Sequence, residues 1–471
     1  MEEKDVVVIG GGPAGYVAAI RASQLGAKVA LIEKDKLGGT CLNRGCIPTK
    51  TLLRGVELIG LVNKAKHYGI NTGEVTVDFA KMMKWKDKIV KMLEIGIYSL
   101  MKSNTIEVIK GRGELTSATQ VEVETERGEK RTIQTKRIIL ALGSIPASVS
   151  IPGADSPGVI TTDDALKLPQ IPKSLVIIGG GVIGVEFATI FAKLGARVTL
   201  VEMLPQIIPN EDSELALSLE KSLRKDGVQI FTGAQVIGIE DNPNGVKSVI
   251  VSTEQGERRC ETQLVLIATG REPYIEGLGL ERIGVATTKD GIKTNEKMET
   301  NIAGIYAAGD AVGGILLAHV ASAEGMIAAE NALGKNSKMD YKVVPRCIYT
   351  MPEIGTVGIT AKEAERKGLP VKVGIFPLAR NSKALILGEQ DGFVKLVTDA
   401  KSGEILGFHI FGPQATELVA EAALTMHMKG TVHEILSTIH AHPTLYEAIR
   451  ETALEVQGIP IHNLAKGGRL S

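Results

Sequence analysis

The chain has 471 residues, with 54 basic side chains against 54 acidic ones, 44% apolar content and 23% charged content. That length suits about three domains, and the even charge balance gives no pull toward nucleic acid or anionic membranes. No uninterrupted apolar run is long enough for a membrane helix, and the apolar start Val6–Ile9 is strand-length and runs straight into glycine, unlike a signal peptide; the expectation is a cytoplasmic chain, with a processed organellar chain as the alternative.

Residues 5–33 read as strand, glycine turn, helix, strand. In such a unit Gly10 makes the tight turn, Gly12 lets the backbone approach a pyrophosphate, Gly15 lets helix and strand close, and Glu33 can accept from a ribose hydroxyl. A lone glycine pattern is weak evidence. Here the strand before it, the helix after it and the acid at the next strand end all occur, which favours a dinucleotide unit.

Residues 38–50, Gly-Gly-Thr-Cys-Leu-Asn-Arg-Gly-Cys-Ile-Pro-Thr-Lys, hold Cys41 and Cys46. Cα atoms five apart in an unbroken helix lie about 8 Å from each other, beyond the roughly 7 Å limit for a disulfide. The backbone must therefore bend between them, and Gly45 allows it. Pro48 suits a first helical turn, so Cys46 is expected at or near a helix N-terminus, with Arg44 and Lys50 adding positive charge. A reduced Cys46 would then be held as thiolate, the form that exchanges disulfides. Two inert core cysteines or half of a zinc site are the alternatives. Zinc lacks further ligands, because Cys260 and Cys347 are isolated and no His lies within fifteen residues of the pair; no metal is expected.

Residues 77–103 read as a long amphipathic helix carrying the only Trp, Trp85, as a packing residue. Segment 104–135 reads as a hairpin insert, followed by a buried strand 137–142 and the turn Gly143–Pro146. The dinucleotide pattern then returns at 174–202, with Gly179, Gly181, Gly184 and Glu202 all offset by 169 from the first set. This duplication implies two nucleotide sites. Two such sites plus a dithiol suggest an electron path, with one nucleotide a bound flavin and the other an exchangeable nicotinamide. The second unit closes with strand 263–268 and the turn Thr269-Gly270-Arg271, and the chain is expected to cross between domains near Pro146 and Pro273.

Segment 300–311 reads as a strand ending in a small-residue turn, where Asp310 either holds a cofactor hydroxyl or caps the Ala-rich helix around 320–333. After Pro345 the texture becomes an antiparallel sheet with helices at 415–429 and 431–439, suited to association. The end of this region carries His440-Ala-His442-Pro-Thr-Leu-Tyr-Glu447. A His oriented by a carboxylate is a natural proton carrier for thiol chemistry; surface histidines or a chance metal motif are the alternatives. The expected fold class is α/β: two Rossmann-like dinucleotide-binding domains, for FAD (1–146 with 273–344) and for NAD (147–272), plus a C-terminal α+β dimerisation domain (345–471).

The cysteine motif, the duplicated glycine turns, Ala-Thr-Gly-Arg, Gly309-Asp310 and His-Pro-Thr together resemble the pyridine nucleotide–disulfide oxidoreductases over nearly the whole chain. The resemblance implies a homodimer with one tightly bound FAD per chain and a His–Glu pair reaching into the partner's active site. By the same resemblance Cys41 is the interchange thiol that meets substrate, Cys46 the flavin-side thiolate, His442 the acid/base and Glu447 its orienting carboxylate. Lys50 and Glu186 are implied as an ion pair beside the flavin ring. Gly10, Gly12, Gly15, Glu33, Lys50, Gly143 and Asp310 would hold FAD, and Gly179, Gly181, Gly184, Glu202 and Gly270 would hold NAD.

Within the family, Glu202 favours the free 2′-hydroxyl of NAD, because a carboxylate repels a 2′-phosphate. Segment 201–210 has no Lys or Arg, unlike glutathione reductases, which also usually carry Ala at the place of Gly184 and Tyr at the place of Val182. The tail 464–471 has no cysteine, unlike mercuric reductase and the larger thioredoxin reductases. The resemblance is therefore to the branch that oxidises protein-bound dihydrolipoamide with NAD, as the E3 component of 2-oxo acid dehydrogenase or glycine cleavage complexes. Its implied partners are lipoyl domains and an E2 peripheral-subunit-binding domain or an H-protein. An NADH-dependent reductase of another small disulfide or a quinone is the enzyme alternative; a chiefly structural subunit or redox sensor is the non-enzyme one. Tyr446, Leu142 and Val320 depart from the branch, which usually has Ser, Thr and Lys there.

Overall fold

The computed structural model describes residues 2–243 and 245–463; the reading of the tail 464–471 lies outside them. The first unit forms a parallel sheet in the spatial order 107–117, 29–33, 2–9, 130–140, 305–307. Strand Gln120–Thr125 pairs antiparallel with the outer halves of 107–117 and 130–140, so segment 104–135 is a three-strand meander that feeds back into the parallel sheet. The expected hairpin is half of it. The buried strand ends at Leu140, two residues earlier than expected.

The second unit repeats this plan. Its parallel sheet runs 229–231, 197–201, 174–178, 264–267, 159–160, and its antiparallel meander, 235–241 with 247–253 and 256–262, is a separate sheet. Every residue of Ser174–Ile178 is buried, as expected where helices cover both faces of a parallel strand. The two crossing segments pair with each other: Ser144–Pro146 lies antiparallel to Arg271–Pro273, with Ile145 opposite Glu272. The turn read at 143–146 is thus one half of a two-stranded hinge between the units.

The C-terminal region is an antiparallel sheet in the order 346–348, 353–358, 405–412, 393–399, 371–377. Helices Ala415–His427 and Glu447–Gln457 cover it with Leu418, Val419, Ala448, Ile449 and Ala453, all buried. Glu447–Gln457 was not visible as a separate helix in the sequence, because its polar Arg450-Glu451-Thr452 interrupts the apolar pattern. Helix Phe79–Ser103 starts at Asp78, whose carboxylate accepts from the Lys81 amide. Its outer face is broadly apolar and uncovered: Trp85 is 55% exposed, with Met92, Ile95 and Leu100. Trp85, read as a packing residue, is thus more than half exposed; the amphipathic period predicted the helix but not which apolar residues face the core.

Candidate active site

Helix Gly39–Arg44 stops at Gly45, and helix Cys46–Lys64 begins with Cys46 itself. The break at Gly45 (φ −137°, ψ −109°) puts Cys41 and Cys46 side by side as free thiols. A hydrogen bond from the Cys41 thiol, outweighing the opposing effect of burial, brings Cys46 down to about 7, with the Lys50 charge adding to it. That same hydrogen bond and burial push the Cys41 thiol up. Lys50 Nζ lies 2.8 and 2.7 Å from the two carboxylate oxygens of Glu186, which is 3% exposed. The other cation of the sequence reading is Arg44. It is paired with Asp35 and lies 3.6 Å from Asp163.

Cys41 opens onto a cavity of about 310 Å³ lined mostly by apolar atoms, among them Tyr16, Leu42, Ile47, Leu93 and Ile97, with His319 at its edge. His442 and Glu447 do not line it within one chain. At the start of helix Glu447–Gln457, His442 Nδ1 is 2.9 Å from Glu447 Oε1 and the Thr444 amide donates to Glu447 Oε2 at 2.9 Å. These contacts hold the Glu447 carboxyl below its ordinary range despite the opposing effect of burial. The His442 side chain is 71% exposed. His440 instead lies 2.8 Å from Glu421.

The two glycine turns are near copies. Gly10 and Gly179 have φ of +104° and +107°, and a Cβ on Gly15 or Gly184 would lie 1.8 or 1.9 Å from the carbonyl oxygen of Gly10 or Gly179. The helices Pro13–Gln24 and Val182–Lys193 begin without a side-chain cap, so their first amides are available to an anion. Glu33 accepts from the Gly11 amide at 2.6 Å and Glu202 from the Gly180 amide at 2.6 Å. Burial pushes the Glu33 carboxyl up. Glycine turns, uncapped helix starts and an acid at each strand end fit two dinucleotides.

Asp310 accepts from Ser144 Oγ at 2.6 Å, while the helix Ala318–Ala332 starts with no side-chain cap. The capping alternative for Asp310 is therefore excluded. Arg271 completes this corner: its Nε donates to Ser144 Oγ at 2.8 Å and its Nη2 to Ser144 O at 2.6 Å. Gly143 and Gly270 stand at the hinge with φ of +74° and +121°, where a non-glycine residue is strained. Sequence reading passed over Arg271, although it stands beside Gly270 in a marked turn. It also missed Tyr349, whose amide donates to Glu186 Oε1 at 3.0 Å and whose ring lies 4.7 Å from Lys50 Nζ; nothing local in the sequence signals that contact.

Residues 4–325 match the family described as pyridine nucleotide-disulphide oxidoreductase, and residues 344–453 match its dimerisation domain. The chain belongs to this family. It is an α/β disulfide oxidoreductase whose C-terminal sheet is the dimerisation domain, so it pairs with a second copy. A dihydrolipoyl dehydrogenase of Bacillus subtilis is 42% identical over 98% of this chain and 99% of its own length. A mitochondrial dihydrolipoyl dehydrogenase of Pisum sativum is 40% identical over 98% of this chain and 93% of its own. Among solved structures, LpdA from Mycobacterium tuberculosis superposes with a TM-score of 0.88 at 29% identity, over 96% of this chain and 99% of that one. The flavoprotein disulfide reductase RclA of Escherichia coli gives 0.85 at 28% identity, over 95% and 99%. Among the described residues no helix is long and apolar enough to cross a membrane.

Proposed function

We propose that the chain is an FAD-containing dihydrolipoyl dehydrogenase that oxidises dihydrolipoamide to lipoamide and reduces NAD+ to NADH. The observation that carries this reading is the Cys41–Cys46 pair at the head of helix Cys46–Lys64, with Cys41 opening on an apolar cavity. Gly10, Gly12, Gly15, Glu33, Lys50, Gly143 and Asp310 would hold FAD; Gly179, Gly181, Gly184, Glu202 and Gly270 would hold NAD. FAD bound there supplies a two-electron relay between the dithiol and the nicotinamide.

In the oxidised enzyme a substrate thiolate attacks Cys41 Sγ, and the bond to Cys46 breaks. Cys46 leaves as a thiolate, stabilised by its place at a helix start and by Lys50. The second substrate thiol displaces Cys41 and closes the lipoamide ring. The partner subunit's His442, oriented by the partner subunit's Glu447, takes the thiol proton; its exposure in a single chain supports that cross-subunit role. The thiol pair has then gained two electrons. Glu202 and the absence of cations in 203–210 favour NAD over NADP. The lipoyl arm would be presented by a lipoyl domain or an H-protein, with an E2 peripheral-subunit-binding domain as docking partner.

The test is anaerobic mixing of the purified dimer with dihydrolipoamide and NAD+, following NADH. NADH should form with the wild-type chain and not with Cys41→Ser. Failure to form NADH, with NADH-driven reduction of another disulfide or a quinone intact, would overturn the substrate assignment.

A further inference from the structure

The loop after Glu202 is tied down at both ends. At its start the Glu202 carboxylate accepts from the Gly180 amide at 2.6 Å and the Leu204 amide at 2.8 Å. Further on, the Ile208 amide donates back to Gly180 O at 2.7 Å. Both main-chain polar groups of Gly180 in the second glycine turn are thus engaged by this loop. Ile208 is buried and left-handed, at φ +41°, a conformation that a β-branched residue adopts only when its surroundings impose it.

The segment that follows is held from another domain. Arg346, Thr356, His409 and Lys395 stand directly opposite one another across four adjacent strands of the C-terminal sheet. They make one polar row in a sheet that is otherwise largely apolar. Glu211 and Asp212, immediately after the loop, insert against this row and are 8% and 5% exposed. Glu211 accepts from Arg346 Nε at 2.8 Å, from Arg346 Nη2 at 3.2 Å and from Thr356 Oγ1 at 2.8 Å. Asp212 accepts from Lys395 Nζ at 2.8 Å and caps its own helix through the Glu214 amide at 2.9 Å. The Glu211 amide closes the turn on Ile208 O at 2.9 Å. Buried, two-sided charge pairs of this kind fix geometry more than they add stability.

We propose that Glu211 and Asp212, clamped by Arg346, Thr356 and Lys395 of this row, are positioning residues for the nicotinamide nucleotide. The dimerisation domain thereby sets the loop that places Glu202 and Gly180. The proposal rests on the reading of the second unit as the NAD site and adds a specific control of its affinity. Neither acid is placed to touch the thiols or the proton carrier, so loss of the clamp falls on nucleotide binding alone.

The test uses Glu211→Gln and Thr356→Val in the full dimer. NADH affinity is measured by equilibrium fluorescence titration, steady-state constants by turnover, and amide hydrogen exchange at Leu204 and Ile208 without nucleotide. Glu211→Gln should raise the NADH Kd and the NAD+ KM about tenfold, the scale of one charge-assisted hydrogen bond. Thr356→Val, which leaves the ion pair intact, should raise them about threefold. Exchange at Leu204 and Ile208 should quicken in both variants, with kcat at saturating NAD+ and the dihydrolipoamide KM unchanged. An unchanged Kd in folded Thr356→Val protein overturns the proposal, as does a fall in kcat with no change in Kd. Faster exchange in the variants of a chain that binds no NADH at all would overturn the nucleotide reading, while supporting the hold of the joint on the loop.

Discussion

The two dinucleotide units share a backbone and differ in what covers it. Beside Gly12, the chain returns as Gly38-Gly39: a Cβ on Gly12 would meet Gly39 Cα at 3.8 Å, and one on Gly39 would meet Gly12 Cα at 2.7 Å. Beside Gly181, a Cβ would meet nothing within 4 Å. The helices diverge in the same sense. Ala18 and Ala22 of the first helix stand where Phe187 and Phe191 stand in the second, at the offset of 169. Small residues let helix Ala318–Ala332 approach closely, and Gly325 packs where a Cβ would come within 2.2 Å of Ala14 O. The phenylalanines, stacked at 6.2 Å, instead fill the space toward helix Cys46–Lys64. One duplicated motif thus yields an enclosed cradle, suited to a resident cofactor, and an open one, suited to a nucleotide that exchanges. The difference comes from neighbours, not from the glycines.

That contrast assigns the thiol chemistry to the enclosed unit, and the largest expected effects follow there. Cys46→Ser should lower dihydrolipoamide-driven NADH formation by about a thousandfold or more, as loss of a group essential to the chemical step does, while NADH still binds at the second unit; wild-type turnover would break the assignment. His442→Ala should lower the same rate by about a hundredfold or more, the scale of general acid–base catalysis, with FAD retained. The glycines sharpen the comparison at lower amplitude. Gly15→Ala should yield protein purified without flavin, because its Cβ would collide with Gly10 O in a cradle that has no room to move. Gly184→Ala makes the equivalent collision with Gly179 O in the open unit. It should retain flavin and raise the NAD+ KM about tenfold, a loss of about 1.4 kcal/mol in binding; flavin loss from Gly184→Ala instead would dissolve the distinction between the units.

Most of the fold was legible where backbone geometry is local. Gly10 and Gly179, Glu33 and Glu202, and the bend at Gly45 follow from steric rules that act within a few residues. The ambiguous cases were those decided by a distant partner. Asp310 could not be separated from a helix cap until Ser144 was seen donating to it. Trp85 faces outward because helix Phe79–Ser103 packs only one side against its neighbours, chiefly helix Cys46–Lys64, and leaves its other apolar face uncovered. The Glu211–Asp212 clamp depends on the register of four strands far along the sequence, which no local pattern encodes.

The smallest effect tests how the enclosed unit tunes its thiol. With Cys46 at about 7 in the reduced protein, its alkylation rate should fall about tenfold per pH unit below that value and level off above it. Because the folded value lies below the ordinary thiol value, its contribution to stability is present above that ordinary value and is lost as pH falls through about 7. The Lys50–Glu186 pair acts on Cys46 with opposite signs, Lys50 lowering it and Glu186 raising it. Lys50→Met should therefore shift the alkylation profile to higher pH, and Glu186→Gln to lower pH. Each shift should change the rate a few-fold near pH 6 and leave the alkaline plateau unchanged, since one pH unit is one decade of thiolate. Equal shifts in one direction from both variants would mean that the pair acts by holding helix Cys46–Lys64 in place. Opposite shifts would locate the control in the charge that this pair presents to Cys46, a control that the second unit, lacking any thiol beside its glycine turn, does not need.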